Sequence, residues 1–163
     1  MKDLKNRVAI VTGSSSGVGA ATSRLLASFG CHVVINYNTN EKGANAVAGD
    51  CTAQGAEAIV IKGNVAEDND CVAMANAAIE RWGRIDVLVN NAGTTKFVDH
   101  TNLEGLDDND FYRIYGVNVI GAYQMVRACN EQMQKQDGGG AVINVASTAG
   151  VTGVGSCVAY AAS

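Results

Sequence analysis

The sequence has no apolar run approaching the length of a membrane span, and its first residues, Met1–Arg7, contain no apolar stretch of signal-peptide length. It has no excess of basic residues either, because its formal net charge is -4. We therefore expect neither a membrane nor a nucleic acid as a partner. Proline is absent altogether, for which the sequence offers no physical reason.

Cysteine and histidine are too scattered to suggest a metal site or a disulfide framework. The five cysteines form no Cys-x-x-Cys pair, and only two histidines accompany them. We interpret them as small core or surface thiols of a cytoplasmic protein: Cys31, Cys51, Cys71, Cys129 and Cys157. His100 with the acidic stretch Asp107–Asp110 could suggest a metal, but a substrate-side loop followed by a helix N-terminus is the better interpretation.

Short apolar runs alternate along the chain with longer segments of helical periodicity. The predicted strands are Arg7–Thr12, His32–Tyr37, Ala58–Ile61, Ile85–Val89 and Ala141–Val145. The predicted helices are a segment through Ala20 and Phe29 closed by Gly30, then Asn40–Gln54 before Gly55, Asp68–Trp82 before Gly83, and Asp108–Gln136. The run Arg81–Arg84 is interpreted as a helix end with solvated cations.

Several of the predicted strands are apolar on both faces, which is typical of a parallel sheet covered by helices on each side. Right-handed crossovers then favour an α/β fold with a doubly wound, Rossmann-type sheet in the order 3-2-1-4-5. The 163 residues contain no repeat and no low-complexity linker, so we expect one domain.

A glycine-rich segment, Thr12–Gly19, lies between the first strand and the first helix. Small residues there let the backbone approach a pyrophosphate, and the N–H groups and dipole of the helix stabilise an anion. The spacing Gly-x-x-x-Gly-x-Gly is neither the Gly-x-Gly-x-x-Gly fingerprint nor a P-loop, which requires a lysine. By itself it is also compatible with a tight turn, but its place after the first strand is where such sheets bind ligands.

The end of the second strand bears on the choice of coenzyme. An acidic residue near Tyr37 and Asn38 would hold the ribose 2′-hydroxyl of NAD, and none is present there. Because a carboxylate would repel a 2′-phosphate, its absence modestly favours NADP(H) over NAD(H). However, neither position 16, which is a Ser, nor positions 37–40 carry an Arg or Lys that could bind that phosphate.

Further motifs follow in a fixed order: Asn90-Asn91-Ala92-Gly93 after the fourth strand, Asn118 in the long helix, Ser147 after the fifth strand, and Tyr160 thirteen positions later. Together with Thr12–Gly19 they resemble the motif set of the short-chain dehydrogenase/reductase family. The branch in question includes 3-oxoacyl-acyl-carrier-protein reductases and glucose dehydrogenases. The resemblance covers nearly the whole chain, from Val8 to Ser163.

The resemblance implies how the chain holds a nicotinamide coenzyme. The resemblance places Gly13, Gly17 and Gly19 around the pyrophosphate, with Ser15, Ser16 and Val18 nearby. Asn64-Val65 matches the family's Asp-hydrophobic pair at the adenine, and an Asn can still meet the ring's amino group through its carbonyl oxygen. The resemblance also places Asn91, Ala92 and Gly93 next to the ribose on the nicotinamide side, and Tyr160 in contact with the coenzyme. For Asn90 and Asn91 a purely structural turn remains the alternative.

The resemblance also assigns the chemistry. Tyr160 is the proton donor or acceptor, Ser147 the hydrogen-bond donor to the substrate oxygen, and Asn118 the residue that binds a relay water. A tyrosine's reference pKa of about 10 is high for this work, and the family lowers it with a Lys four residues further along the helix. Without the matching spacing, Tyr160 would be an ordinary helix residue and Ser147 an ordinary loop serine.

The position expected to carry that Lys would follow Ser163, the last residue. Family members continue through two further strands and a substrate lid, and are commonly tetramers joined through helices ending near Gln136 and beginning near Tyr160. We therefore expect a part of a longer enzyme, in which strand 141–145 is an edge and Val142, Ile143 and Val145 lose cover. We expect the 163 residues alone to be poorly soluble and nearly inactive.

Three functions are compatible with these features. The first is an NAD(P)-dependent oxidoreductase acting on a small carbonyl compound or secondary alcohol, with a 3-oxoacyl thioester reductase as the leading interpretation. The second is a sugar or polyol dehydrogenase of the same family. The third is a catalytically silent dinucleotide-binding module, which the missing Lys favours.

Overall fold

Five short runs rich in Val and Ile form a parallel sheet, and helices pack on both faces of its inner strands. The computed structural model describes residues 4–163, so the first three residues of Met1–Arg7 lie outside the described part. The strands are β1 (Val8–Val11), β2 (His32–Tyr37), β3 (Ala58–Lys62), β4 (Val87–Asn90) and β5 (Ala141–Asn144). Their order, β3-β2-β1-β4-β5, confirms the predicted doubly wound, Rossmann-type topology.

At least one helix follows each strand along the chain. The helices are α1 (Gly17–Ser28), α2 (Glu41–Ala53), α3 (Asp68–Trp82), α4 (Asp108–Tyr115), α5 (Gly121–Lys135), α6 (Ala149–Thr152) and α7 (Val158–Ala161). A short 3-10 turn covers Leu103–Gly105. The predicted helix at 108–136 has the right extent, but a π-helical segment, Gly116–Ile120, separates α4 from α5. There the Gly121 N–H donates to the Gly116 carbonyl oxygen, one residue further back than in an α-helix.

Alternate residues of the strands build one apolar layer on each face of the sheet. On one face Ile10, Val34 and Leu88 pack with residues of α3 and α5, including Met74 and Met125. On the other face Val11, Val33 and Ile35 pack with residues of α1 and α2. The period of two along each strand therefore divides the core between the two helix layers.

The strand β5 lies at the edge of the sheet, as predicted. Its residues Val142 and Ile143 are 42% and 50% exposed, and Val145 just beyond it is 44% exposed. These values confirm the expected loss of cover.

All five cysteines are free and buried, so they are core thiols and not surface thiols. Burial raises the pKa of Cys31 and Cys129 to about 12 and that of Cys71 to about 11. Such thiols stay protonated near neutrality and are poor nucleophiles. In residues 4–163 no helix has the length and apolar character needed to cross a membrane.

The ends of the helices explain two charged segments. Asp107 and Asp110 form a capping box at the start of α4, which confirms the predicted helix N-terminus. Gly83, with φ of 73°, ends α3 as expected. Arg81 is 56% exposed, as expected for a solvated cation, and pairs with Glu57 at the surface. The same interpretation is wrong for Arg84, which is 32% exposed and pairs with the buried Asp86.

Asp86 joins the starting ends of β1 and β4. Its side chain is only 8% exposed and accepts hydrogen bonds from Arg84 (2.6 and 2.7 Å), Arg7 (2.8 Å) and the Val8 N–H (2.9 Å). Burial alone would raise the pKa of Asp86, but the bonds from Arg84, Val8 and Arg7 outweigh it and hold this pKa below its ordinary value.

We expect Asp86→Asn to lower the free energy of unfolding at pH 7 by about 3 kcal/mol, because two arginines lose their charged partner. Since the folded-state pKa is depressed, the carboxylate stabilises the fold above the unfolded value of about 3.9. That contribution disappears as the pH falls through the folded-state pKa. Urea unfolding at pH 7 and at about pH 3 should show a smaller difference between wild type and variant at the lower pH.

The matched control is Asp50→Asn, because the Asp50 carboxylate is 54% exposed and its ion pair with Arg24 lies on the protein surface. That change should cost less than about 0.5 kcal/mol. Equal losses for the two variants would contradict a stabilising role for the buried carboxylate.

Candidate active site

Thr12, at the carboxyl end of β1, ties the glycine-rich segment to the turn after β4. Its Oγ1 accepts the N–H groups of Asn91 and Ala92, both at 3.0 Å. The Asn91 side chain donates back to the carbonyl oxygens of Thr12 (2.9 Å) and Gly13 (3.2 Å). The two turns therefore form one hydrogen-bonded unit, and the side chain of Asn91 has a structural role in it.

Asn36 is a structural residue of the glycine-rich loop that the sequence interpretation missed. Its Oδ1 accepts the Gly13 N–H at 2.9 Å, and its Nδ2 donates to the Gly63 carbonyl oxygen at 3.0 Å. Its backbone N–H donates to the Ser14 hydroxyl at 2.9 Å. The side chain thus fixes the loop after β1 to the ends of β2 and β3. The sequence did contain a sign of this role, because Asn36 is a single amide side chain within the otherwise apolar centre of strand His32–Tyr37.

The start of α1 has the features that an anion requires. Its N-cap residue, Ser16, makes no side-chain cap, and its first turn has no acidic residue. By contrast, α2 and α4 are capped by Asn40 and Asp107, and α3 has two acidic residues in its first turn. Uncapped N–H groups and the helix dipole attract a negative group, so the loop fits the pyrophosphate of a dinucleotide.

The adenosine end of the predicted site is only partly assembled by side chains. Tyr37 is the last residue of β2, and Asn38 follows it on the way to α2. Desolvation and the negative charge of Glu41 raise the pKa of Tyr37. Asn64 Oδ1 accepts the Ala66 N–H at 3.1 Å, so one of its two lone pairs is already in use. Val65 is buried and lies against Gly121 of α5.

A cavity of about 430 Å³ brings together the three predicted catalytic residues and four of the predicted coenzyme-binding residues. Its wall includes Val65, Asn91, Ala92, Gly93, Asn118, Ser147 and Tyr160. Thr12 is also in this wall, whereas residues 15–19, which are predicted to bind the pyrophosphate, lie outside it and are mostly exposed. The cavity opens at the carboxyl ends of β1, β4 and β5, the edge at which parallel sheets bind ligands.

Asn118 lies within the π-helical segment and is held by three hydrogen bonds. Its Oδ1 accepts the Thr94 N–H at 2.8 Å, and its Nδ2 donates to the Thr94 carbonyl oxygen (3.1 Å) and to Ser163 Oγ (2.8 Å). The side chain therefore connects the turn after β4 with the end of α7. Its predicted role in a proton relay remains a prediction.

Ser147 and Tyr160 both reach the cavity with hydroxyl groups able to donate. Ser147 Oγ accepts the Ala149 N–H at 3.2 Å, which leaves its O–H available. Within residues 4–163 the Tyr160 hydroxyl has no hydrogen-bond partner, and its backbone N–H donates to Cys157 Sγ at 3.4 Å. The spacing of thirteen residues thus places the two hydroxyls in the wall of one cavity.

A second, more open depression adjoins this cavity. It is lined by residues of the loop after β4, by Ser156 and by Tyr160: Asn91, Gly93, Thr94, Thr95 and Phe97. His100 contacts the Gly155 carbonyl oxygen at 3.2 Å, and its predicted place in a substrate-side loop remains a prediction. No group of His, Cys, Asp or Glu that could bind a metal occurs in the part of the chain that the structure describes.

The doubly wound sheet and its loop before an uncapped helix define the class of dinucleotide-binding folds. More particularly, the chain belongs to the short-chain dehydrogenase family, whose sequence model matches residues 7–163. The family is one of oxidoreductases, and the match confirms the predicted resemblance.

Two curated relatives share this family. The chain is 37% identical to a 3-oxoacyl-[acyl-carrier-protein] reductase of Synechocystis sp., covering 94% of this chain and 60% of the relative. It is 35% identical to an L-rhamnose 1-dehydrogenase (NAD(P)+) of Sphingomonas sp., covering 94% of this chain and 59% of that enzyme. The chain thus spans about 60% of the length of these relatives.

A solved structure agrees with the fold at high similarity. It is a short-chain dehydrogenase/reductase from Burkholderia phymatum in complex with NAD, with a TM-score of 0.90 and 31% identity. The alignment covers 99% of this chain and 56% of that one.

The two glycines of the loop with positive φ provide a test of its geometry. Both have similar angles, φ of 61° at Gly13 and 55° at Gly17. A Cβ on Gly13 would lie 2.8 Å from the Cα of Ala92, whereas one on Gly17 would meet nothing within 4 Å. We expect Gly17→Ala to cost about 1–2 kcal/mol for the left-handed backbone alone.

Gly13→Ala should cost at least about 1 kcal/mol more, because it adds a steric overlap to the same backbone strain. Urea unfolding of both variants measures the difference. Equal losses would show that the glycine loop and the Ala92 turn are not in close contact.

Proposed function

We propose that this chain is one dinucleotide-binding domain of an oxidoreductase that transfers hydride between a nicotinamide coenzyme and a carbonyl compound or secondary alcohol. One observation carries the proposal. Ser147 and Tyr160, which both carry hydroxyls, line one cavity with the turn Asn91–Gly93, and Thr12 joins that turn to the loop before α1. A coenzyme with its pyrophosphate at α1 would extend along the strand ends towards those hydroxyls.

The residues of the chain supply proton chemistry and charge stabilisation. A bound nicotinamide coenzyme provides or accepts the hydride. Ser147 donates its free O–H to the substrate oxygen, where negative charge develops during reduction. Tyr160 gives its hydroxyl proton to that oxygen, and takes the proton back when an alcohol is oxidised. Asn118 holds the turn after β4 and the end of α7 in register and is proposed as the relay residue behind Tyr160.

The walls around the reacting groups favour an uncharged substrate. Within the described residues neither the cavity nor the adjoining depression is lined by an Asp, Glu, Lys or Arg. A carboxylate beside the reacting carbon would find no counter-ion there. Our leading substrate is a 3-oxoacyl thioester, in line with the Synechocystis reductase. A sugar is the second candidate, in line with the Sphingomonas dehydrogenase.

Tyr160→Phe tests the catalytic assignment in the polypeptide expressed from its complete reading frame. The variant should lower kcat at least about a hundredfold, because only the proton donor is lost. NADPH binding should stay within about twofold, since the ring remains. Ser147→Ala should lower kcat by about a hundredfold as well. Reduction of a short 3-oxoacyl thioester and of an aldose, followed by NADPH absorbance, provides the assay.

Tyr123→Phe is the matched control, because Tyr123 is 65% exposed on α5 and lies outside the cavity. It should leave turnover unchanged. Coenzyme binding without turnover of either substrate by the wild-type protein would instead support a silent binding module. Full activity of Tyr160→Phe would contradict the proposed chemistry.

We infer further that NADP(H) is preferred over NAD(H). Residues 37–40 contain no carboxylate, and Asn40 Nδ2 donates to the Ser15 carbonyl oxygen at 3.5 Å. The N-terminus of α2 therefore lies next to that of α1, so two helix dipoles can favour a 2′-phosphate. Glu41, exposed in the first turn of α2, is the opposing negative charge that the sequence interpretation had not considered.

Coenzyme titrations monitored by nicotinamide fluorescence test this preference. We expect NADPH to bind about two- to fivefold more tightly than NADH, the range that dipole effects allow. Glu41→Gln should tighten NADPH binding about twofold and leave NADH unchanged, because it removes a repulsive charge. Glu131→Gln on α5, 89% exposed, is the control. Equal or tighter binding of NADH by the wild type would refute the preference.

A further inference from the structure

The residue before α7 has an unusual identity for a helix cap. Cys157 is fully buried, has extended backbone angles and accepts the Tyr160 N–H on its sulfur at 3.4 Å. Sulfur is a weak acceptor, and Ser, Thr, Asp or Asn are the usual residues at this position. The group that Cys157 binds is the backbone of the proposed catalytic residue itself.

The loop after β4 supports this cap from the side. Thr95 Oγ1 lies 3.8 Å from Cys157 Sγ and also contacts the Ser156 hydroxyl. The Val98 N–H donates to the Ser156 carbonyl oxygen at 2.8 Å. Because Thr94 is bonded to Asn118, the neighbouring Thr95 links the proposed relay residue to the segment that begins α7.

The other end of α7 is held independently. Tyr115 donates its hydroxyl to the Ala162 carbonyl oxygen at 3.0 Å, and Asn118 Nδ2 donates to Ser163 Oγ at 2.8 Å. Together with the sulfur cap, these contacts hold the described turn of α7 on both sides of Tyr160.

We propose that Cys157 and Thr95 are positioning residues for Tyr160. The sulfur cap fixes the first turn of α7, and Thr95 fixes the sulfur, so that the Tyr160 hydroxyl stays aligned with Ser147 across the cavity. A misplacement of about 1 Å in a reacting group can cost a hundredfold in rate. This inference rests on the proposed role of Tyr160 as proton donor.

Cys157→Ala and Cys157→Ser form the matched pair of variants. Both remove the sulfur and differ only in a hydroxyl, which can accept the Tyr160 N–H and contact Thr95. In the polypeptide from the complete reading frame, Cys157→Ala should lower kcat about tenfold and change KM less than about threefold. Cys157→Ser should stay within about threefold of the wild-type kcat. Thermal unfolding of each variant establishes that folded protein is compared.

Equal kcat values for the Ala and Ser variants would overturn the proposal, since packing alone would then explain the cysteine. If Cys157→Ala does not fold, Thr95→Val gives the answer, with an expected loss of about three- to tenfold in kcat. Thr101→Val is its control, because the Thr101 hydroxyl bonds Asp99 in the same loop rather than the segment before α7. A Thr95→Val kcat equal to that of Thr101→Val would also overturn it.

The two proposals fail in distinguishable ways. An inactive Tyr160→Phe together with an unimpaired Cys157→Ala refutes only the positioning role. An active Tyr160→Phe refutes the proposed function, and the positioning role with it.

Discussion

The hydrogen bonds between Thr12 and Asn91 are the constraint on which the site depends. They join the end of β1 to the end of β4, neighbouring strands of the sheet. Without them, the loop that begins α1 and the turn that borders the cavity would be two separate surface segments. Asn36 adds a second restraint from β2, so the loop is fixed from both sides of β1. A rigid backbone between two ligand-binding positions is what a long, extended coenzyme requires.

The start of α1 differs from the starts of α2, α3 and α4. Caps and acidic side chains stabilise α2, α3 and α4 at their N-termini, whereas α1 begins at Ser16 without either. An uncapped helix gives up about 1 kcal/mol of stability. Such a loss is typical of a binding position, where a ligand rather than a side chain completes the hydrogen bonds of the helix.

The alternation of apolar runs was enough to predict the strands, their order and most helix limits, because burial on both faces leaves few compatible topologies. Motif spacing also placed Ser147, Tyr160 and Asn91 around one cavity. The contacts of Arg84 with Asp86 and of Asn36 with Gly13 were beyond reach, since they join residues far apart in sequence. The π-helical segment at Asn118 was missed for another reason: its apolar periodicity resembles that of an ordinary helix.

That π-helical segment sets the relative rotation of the buried sides of α4 and α5. A π turn is equivalent to one residue inserted into an α-helix, so it shifts the helical phase of the following residues by about 100°. In an unbroken α-helix Ile114 and Met125 would lie within about 20° of each other, on nearly the same face. The inserted residue turns them about 80° apart, so that Ile114 packs with Cys157 and Ala159 while Met125 packs with residues of α3. A regular helix with the same number of residues would therefore lose one of these two packings, whereas removing the π turn together with one residue would preserve both.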